Sequence, residues 1–187
     1  MRADFRAILD ACVLANARLC DLLLRLAETP RLYLPYWSGP LLDEAQGTHR
    51  KLQWPAGLSE SWREAVSHAF PDACLGSLDA YNSPQAINEK DRHVVQAALC
   101  AGAEDIVTFN LRDFPSEHLE PLGISAKHPS EFLINLLSIE PLIVSRRLED
   151  IAKQKGEPLT ESLRKLAVHV PDFVEYYARA SAVDLED

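Results

Sequence analysis

Through the first 140 residues, short apolar runs alternate with segments of helical periodicity, and that alternation constrains the fold more than any other feature. Ala7-Ile8-Leu9 is uninterrupted, as a strand buried on both faces should be. Leu19, Leu22, Leu23 and Leu26 then follow helical spacing up to Thr29-Pro30. Leu32 to Trp37 reads as a second strand, and Ser38 followed by Pro40 as a helix start with Leu41, Ala45 and Leu52 on one face. A helix over 61–70, a short strand over 73–76, a helix over 89–101, and strands over 105–109 and 124–126 follow, before a helix carrying Phe132, Leu133, Leu136 and Leu137. Strands that alternate with helices imply βαβ units and a parallel sheet. After Pro141 the pattern is purely helical, on Val144, Leu148 and Ile151, then Leu159, Leu163 and Leu166, then Phe173, Tyr176 and Tyr177. The expected fold class is therefore α/β over 1–140, with a helical segment over 141–187.

Composition narrows the function. With 187 residues the chain is long enough to bury about 70% of its unfolded surface without a staple. Its densest apolar stretch, Leu19 to Ala27, carries Asp21 and Arg25 and falls well short of the roughly 20 residues of a membrane span. Asp4, Arg6 and Asp10 break up the N-terminal apolar residues, so no secretory signal is expected and the cytoplasm is the expected compartment. Cys12, Cys20, Cys74 and Cys100 form no C-x-x-C pair and read as free, mostly buried thiols. The net charge of −9 argues against a protein that coats nucleic acid through its charge alone. Nearly all of the surplus lies in the middle third, where residues 60–140 hold 13 acids against 5 bases.

Certain acids stand where acids are not expected. Asp10 directly follows the buried strand, and ligands of parallel sheets bind beyond the carboxyl ends of the strands. Asp91 shares a helix face with Val94, Val95 and Ala98, while His93 points the opposite way. Glu44 lies at the border of the apolar stripe of its helix, and Asp43 points away. Asn110 and Asp113 follow the strand ending Val107-Thr108-Phe109. Taken singly, an Asx turn, a helix-start acid or an N-cap explains each. Two strand ends and two helix starts would nevertheless bring three or four carboxyl groups to one sheet edge. Hard oxygen donors of that kind suit Mg²⁺ or Mn²⁺.

Four segments in order resemble the motifs of PIN domains. Ile8-Leu9-Asp10-Ala11-Cys12-Val13-Leu14 is similar to the opening strand and first acid, and Leu41-Leu42-Asp43-Glu44 to the Glu segment. Asp91-Arg92-His93-Val94-Val95-Gln96-Ala97-Ala98 is similar to the third acidic position. The run from Ile106 to Phe114 is similar to the fourth motif. The resemblance covers roughly residues 5–137 and is closest to the VapC-type toxins of bacterial toxin–antitoxin systems, in a subgroup with an added C-terminal helical segment. It implies a three-layer α/β/α PIN-like domain and a metal-dependent endoribonuclease. Asp10, Glu44, Asp91 and Asp113 would be its metal-binding acids, with Asn110 in the catalytic set, Mg²⁺ or Mn²⁺ as cofactor and RNA as substrate. It also implies a cognate antitoxin and a homodimer. Many relatives carry Asp where Asn110 stands, so either Asn110 or Asp113 is the fourth residue.

Other features are read more plainly. Thr108 is first a β-branched strand residue, although its hydroxyl could orient a carboxylate. Arg92 and Arg112 flank the acids but read first as solvated arginines. Trp37, Trp54 and Trp62 read as core, with Tyr36-Trp37 near a strand end where a base could stack. Phe173, Tyr176 and Tyr177 read as packing on their own domain before an interface. A HAD-like phosphatase also places an Asp after its first strand, but it wants a second acid where Cys12 stands. The non-enzymatic alternative is a PIN-like module, catalytically weakened at Asn110, that binds RNA or a protein.

Overall fold

The computed structural model describes residues 5–55 and 57–184. Five parallel strands form one sheet in the order β3-β2-β1-β4-β5. They are β1 (Arg6–Leu9), β2 (Leu34–Ser38), β3 (Cys74–Leu75), β4 (Asp105–Val107) and β5 (Ser125–Lys127). Between them lie α1 (Ala11–Leu14), α2 (Ala17–Ala27), α3 (Gly39–Lys51), α4 (Leu58–Ala69), α5 (Arg92–Ala101) and α6 (Ser116–Leu119). Helix α7 (Pro129–Ile139) follows β5, and α8 (Pro141–Gln154), α9 (Leu159–Ala167) and α10 (Pro171–Ser181) complete the chain. This is the expected three-layer α/β/α architecture with a helical C-terminal region.

Strand β1 is central because it is apolar on both faces: Ala7, Ile8 and Leu9 are wholly buried. It pairs with β2 on one side and β4 on the other, with Ile8 opposite Tyr36 and Ile106. The chain runs from β1 outward to β3, then crosses to β4 on the far side. The crevice between the carboxyl ends of β1 and β4 is therefore a topological switch point, where open α/β sheets bind ligands. Helix α5 covers the sheet with Val94, Val95, Ala97 and Ala98 buried, packing on β1, β2 and β4. Gly102, at φ +59°, ends it in the left-handed conformation that glycine adopts without steric penalty.

The C-terminal helices share one continuous core with the sheet layers. Helix α8 packs on α2 and α7, and α10 on α7 and α9. Phe173 and Tyr177 are buried in that core, whereas Tyr176 is exposed. Trp37 is buried in the core against Phe70. Trp54 and Trp62 instead box in the buried His49, Trp54 stacked at 3.6 Å and Trp62 edge-on at 4.7 Å between ring centroids.

Several elements differ locally from expectation. The helix expected over 89–101 is two: a 3-10 turn, Glu89–Asp91, capped by Asn88, then α5. Strand β4 stops at Val107, two residues early, although the Thr108 N–H still donates to the Lys127 carbonyl at 3.0 Å. Leu52 lies just beyond α3 and is exposed rather than on its buried face. The cysteines are free as expected but not mostly buried: Cys20 is buried, Cys12 and Cys100 are intermediate and Cys74 is exposed. No described helix is long and apolar enough to cross a membrane.

Candidate active site

Asp10 occupies the switch-point crevice. Its N–H donates to the Val107 carbonyl at 3.1 Å, extending the β1–β4 ladder by one residue, and its carboxylate begins α1 by accepting the Ala11 N–H on Oδ1 at 2.7 Å. It is only 6% exposed, so its charge needs partners. The second oxygen, Oδ2, has two: the Thr108 hydroxyl donates at 2.6 Å and the Cys12 thiol at 3.2 Å. Thr108 Oγ1 in turn accepts the Asn110 N–H at 3.0 Å, and Cys12 Sγ accepts the Phe109 N–H at 3.5 Å. Both side chains thus tie the loop after β4 to the acid after β1. Burial and the neighbouring Asp10 charge push the Cys12 thiol up to about 12, which keeps it a protonated donor.

Four of the five residues singled out in the sequence, Asp10, Glu44, Asp91 and Asn110, line one cleft of about 490 Å³ together with Cys12, Lys51 and Lys90. Asp113 joins them through a shared cation, because the Lys90 ammonium stands 3.5 Å from Asp91 Oδ2 and 3.7 Å from Asp113 Oδ2. Asp91 serves as the N-cap position of α5 without a side-chain capping bond. Its carboxyl is raised by burial and by the Asp113 charge, against the pull of Lys90. Glu44, half-exposed on α3, is raised by burial and by the charges of Asp10 and Asp91, and held down by His93. Carboxylates close enough to raise one another are the mark of a site that gathers anions.

Three residues have roles that the sequence left in second place or did not show. Thr108 is a carboxylate-orienting group rather than only a strand residue. His93 does not point away: its Nε2 lies 3.3 Å from Glu44 Oε1. His93, Val94, Val95 and Ala98 all lie within α5, so the contact reflects where Glu44 of α3 stands rather than a change of helix phase. Lys90 carried no signal, since an isolated Lys before an Asp reads as solvated surface. Arg92 is half-buried and partly engaged, donating to the carbonyls of Ile87 at 3.0 Å and Gln85 at 2.9 Å. Asp43 points away as expected and pairs with Arg63.

The donors are hard oxygens, and one is conspicuously short of partners: Asp91 Oδ2 is buried and accepts no hydrogen bond. That set suits a small divalent cation that keeps part of its water shell. Among the described residues, no three His, Cys, Asp or Glu side chains stand close enough together to hold a metal ion by themselves.

Comparison with curated proteins finds a likeness to "Putative ribonuclease VapC50" of Mycobacterium tuberculosis (strain ATCC 25618 / H37Rv), 40% identical over 93 residues. The match covers 48% of this chain and 54% of that protein, so the chain spans about half the length of the curated relative it matches. No family model matches the chain, and no solved structure matches it. Over that shared region the chain is similar to "Putative ribonuclease VapC50", and its own fold is a three-layer α/β/α arrangement.

Proposed function

We propose that this chain is a divalent-metal-dependent endoribonuclease acting as the toxin of a toxin–antitoxin pair. The observation that carries the proposal is the gathering of Asp10, Glu44, Asp91 and Asn110 around one cleft at the sheet's switch point, with Asp113 joined through Lys90. In this reading Asp10, Glu44, Asp91 and Asp113 hold Mg²⁺ or Mn²⁺ directly or through water, and Asn110 completes the catalytic set. Asn110 is exposed, and its amide would bond a metal-bound water without adding charge. When bound, the metal supplies an acidified, oriented water and neutralises charge on the scissile phosphate. The chain's own part is orientation. Thr108 and Cys12 fix Asp10 Oδ2, Ala11 fixes Oδ1, and His93 sits against Glu44. No side chain need form a covalent intermediate.

The same proposal takes RNA as substrate, a cognate antitoxin as inhibitor, a homodimer as the assembly and the cytoplasm as the compartment. It divides the chain into a nuclease unit, 1–140, and a helical segment, 141–187, that buttresses α2 and α7.

The test is cleavage of single-stranded RNA by the purified chain with Mg²⁺ or Mn²⁺, against the same chain in chelator and against Asp10→Asn and Asp91→Asn. Loss of a metal-bound carboxylate should lower the rate by about a hundredfold or more, as for loss of other single electrostatic groups acting on the transition state. Equal cleavage by all three proteins would overturn the nuclease reading. No Mg²⁺ or Mn²⁺ binding by calorimetry, with RNA or partner binding intact, would instead favour the weakened binding module.

A further inference from the structure

Lys51 and Lys90 both line the acidic cleft, and Lys90 is paired there with Asp91 and Asp113. Its backbone is fixed: it sits in the Glu89–Asp91 turn, where its N–H donates to Asn88 Oδ1 at 3.3 Å. Its side chain is not fixed. It is 64% exposed, and at 3.5 and 3.7 Å from two carboxylates it is held by charge rather than by hydrogen-bond geometry. Asp91 Oδ2, the oxygen it faces, accepts no hydrogen bond. An ammonium on a flexible four-carbon stem is a mobile point charge. It neutralises Asp91 and Asp113 in the same place where a divalent ion would have to stand.

We propose that Lys90 is the site's built-in counter-cation, displaced when a divalent ion binds Asp91 and Asp113, and that the displaced ammonium then contacts a substrate phosphate at the rim of the cleft. The inference rests on the metal-dependent reading above and adds a residue and a sequence of events to it. Two cations beside the same carboxylates repel each other, and the divalent ion carries the greater charge. The stem keeps the released ammonium within reach of the edge where RNA arrives. Lys90 therefore opposes metal binding in the free protein and assists substrate binding in the loaded one. A purely structural lysine would not act with opposite signs in the two states.

The experiment titrates full-length protein with Mn²⁺ alone by calorimetry, comparing the unaltered chain, Lys90→Gln and Lys153→Gln. Lys153, on α8, removes the same charge outside the cleft. Lys90→Gln should bind Mn²⁺ about three- to tenfold more tightly, the range expected when one or two partly exposed ion pairs no longer have to be broken. At saturating Mn²⁺ the same variant should show a severalfold higher KM for single-stranded RNA. Unchanged or weaker Mn²⁺ binding by Lys90→Gln, or an equal gain in Lys153→Gln, overturns the displacement. An unchanged KM overturns the phosphate contact. If none of the three proteins binds Mn²⁺, the metal-dependent reading itself fails, so the two failures are distinguishable.

Discussion

Thr108 uses one oxygen twice. Its hydroxyl donates to Asp10 Oδ2 at 2.6 Å and accepts the Asn110 N–H at 3.0 Å, so a single side chain sets both the first acid and the loop that carries the last motif. Hydrogen bonds to an ionised acceptor are roughly twice as strong as neutral ones. Thr108→Val keeps the shape and removes both bonds. The folded protein should survive, losing about 1–3 kcal/mol in denaturant melts for the groups left unpaired. Mn²⁺ affinity or kcat/KM should fall by about 10–100-fold, the usual result of removing a group that orients a metal ligand. Thr108→Ser should recover most of that loss. A valine variant with full activity would show that Asp10 does not need its hydroxyl. At this scale the sequence was informative unevenly. Asp10 was legible because its charge ends a fully apolar run. The bond from Thr108 was legible only as a second reading, because it depends on the β1–β4 register, with Leu9 opposite Val107. No local pattern encodes that pairing between residues about a hundred positions apart.

Helix α9 is docked through a carboxylate. Glu157 lies between α8 and α9, accepts Arg18 of α2 at 2.6 Å and Lys165 of α9 at 2.6 Å, and Arg18 also donates to Ser162 at 3.3 Å. These hydrogen bonds hold the Glu157 carboxyl down, from 4.5 to about 2, with Lys165 the largest cause and Arg18 next. The folded value lies below the unfolded one, so this contribution to stability is fully present above about pH 4.5. It is lost as pH falls from there through about 2. The thermal midpoint should therefore decline over that window, and Glu157→Gln should flatten that part of the decline while lowering the midpoint at neutral pH. A decline of identical shape in the glutamine variant would place the acid sensitivity elsewhere. The helices themselves were legible, since Val144, Leu148 and Ile151, then Leu163 and Leu166, repeat at helical spacing and are buried. Where they dock was not. Periodicity identifies a face to be covered but not the element that covers it, and the ionic link from Arg18 to Glu157 spans 139 positions. The same limit explains His93 and Arg92. A 3-10 turn stabilised by Asn88 has no apolar period, so the true start of α5 was displaced from the simple helical reading, while the partners of His93 and Arg92 lie outside the helix altogether.

At the scale of the whole molecule, the acidic surplus and the proposed substrate are in tension. The chain carries −9, and the cleft that would take RNA is lined by Asp10, Glu44 and Asp91 against Lys51 and Lys90, with Asp113 beside it. Proteins that hold nucleic acid by charge alone do so with clustered bases and lose affinity as salt rises. Here a phosphate approaching the bare edge meets net repulsion, which salt screens over about 10 Å at 0.1 M. Each divalent ion would add two positive charges at that edge. RNA binding should accordingly depend on metal in both size and sign. Fluorescence anisotropy of a labelled single-stranded oligoribonucleotide should show weak binding in chelator, little changed or slightly improved by added NaCl. With Ca²⁺, which accepts the same oxygen donors in a looser geometry, affinity should rise by about tenfold or more and should now fall as NaCl is added. Tight, salt-sensitive binding in chelator would mean that a basic surface away from the acidic cleft holds the RNA, and the cleft would lose its claim to be the substrate's site.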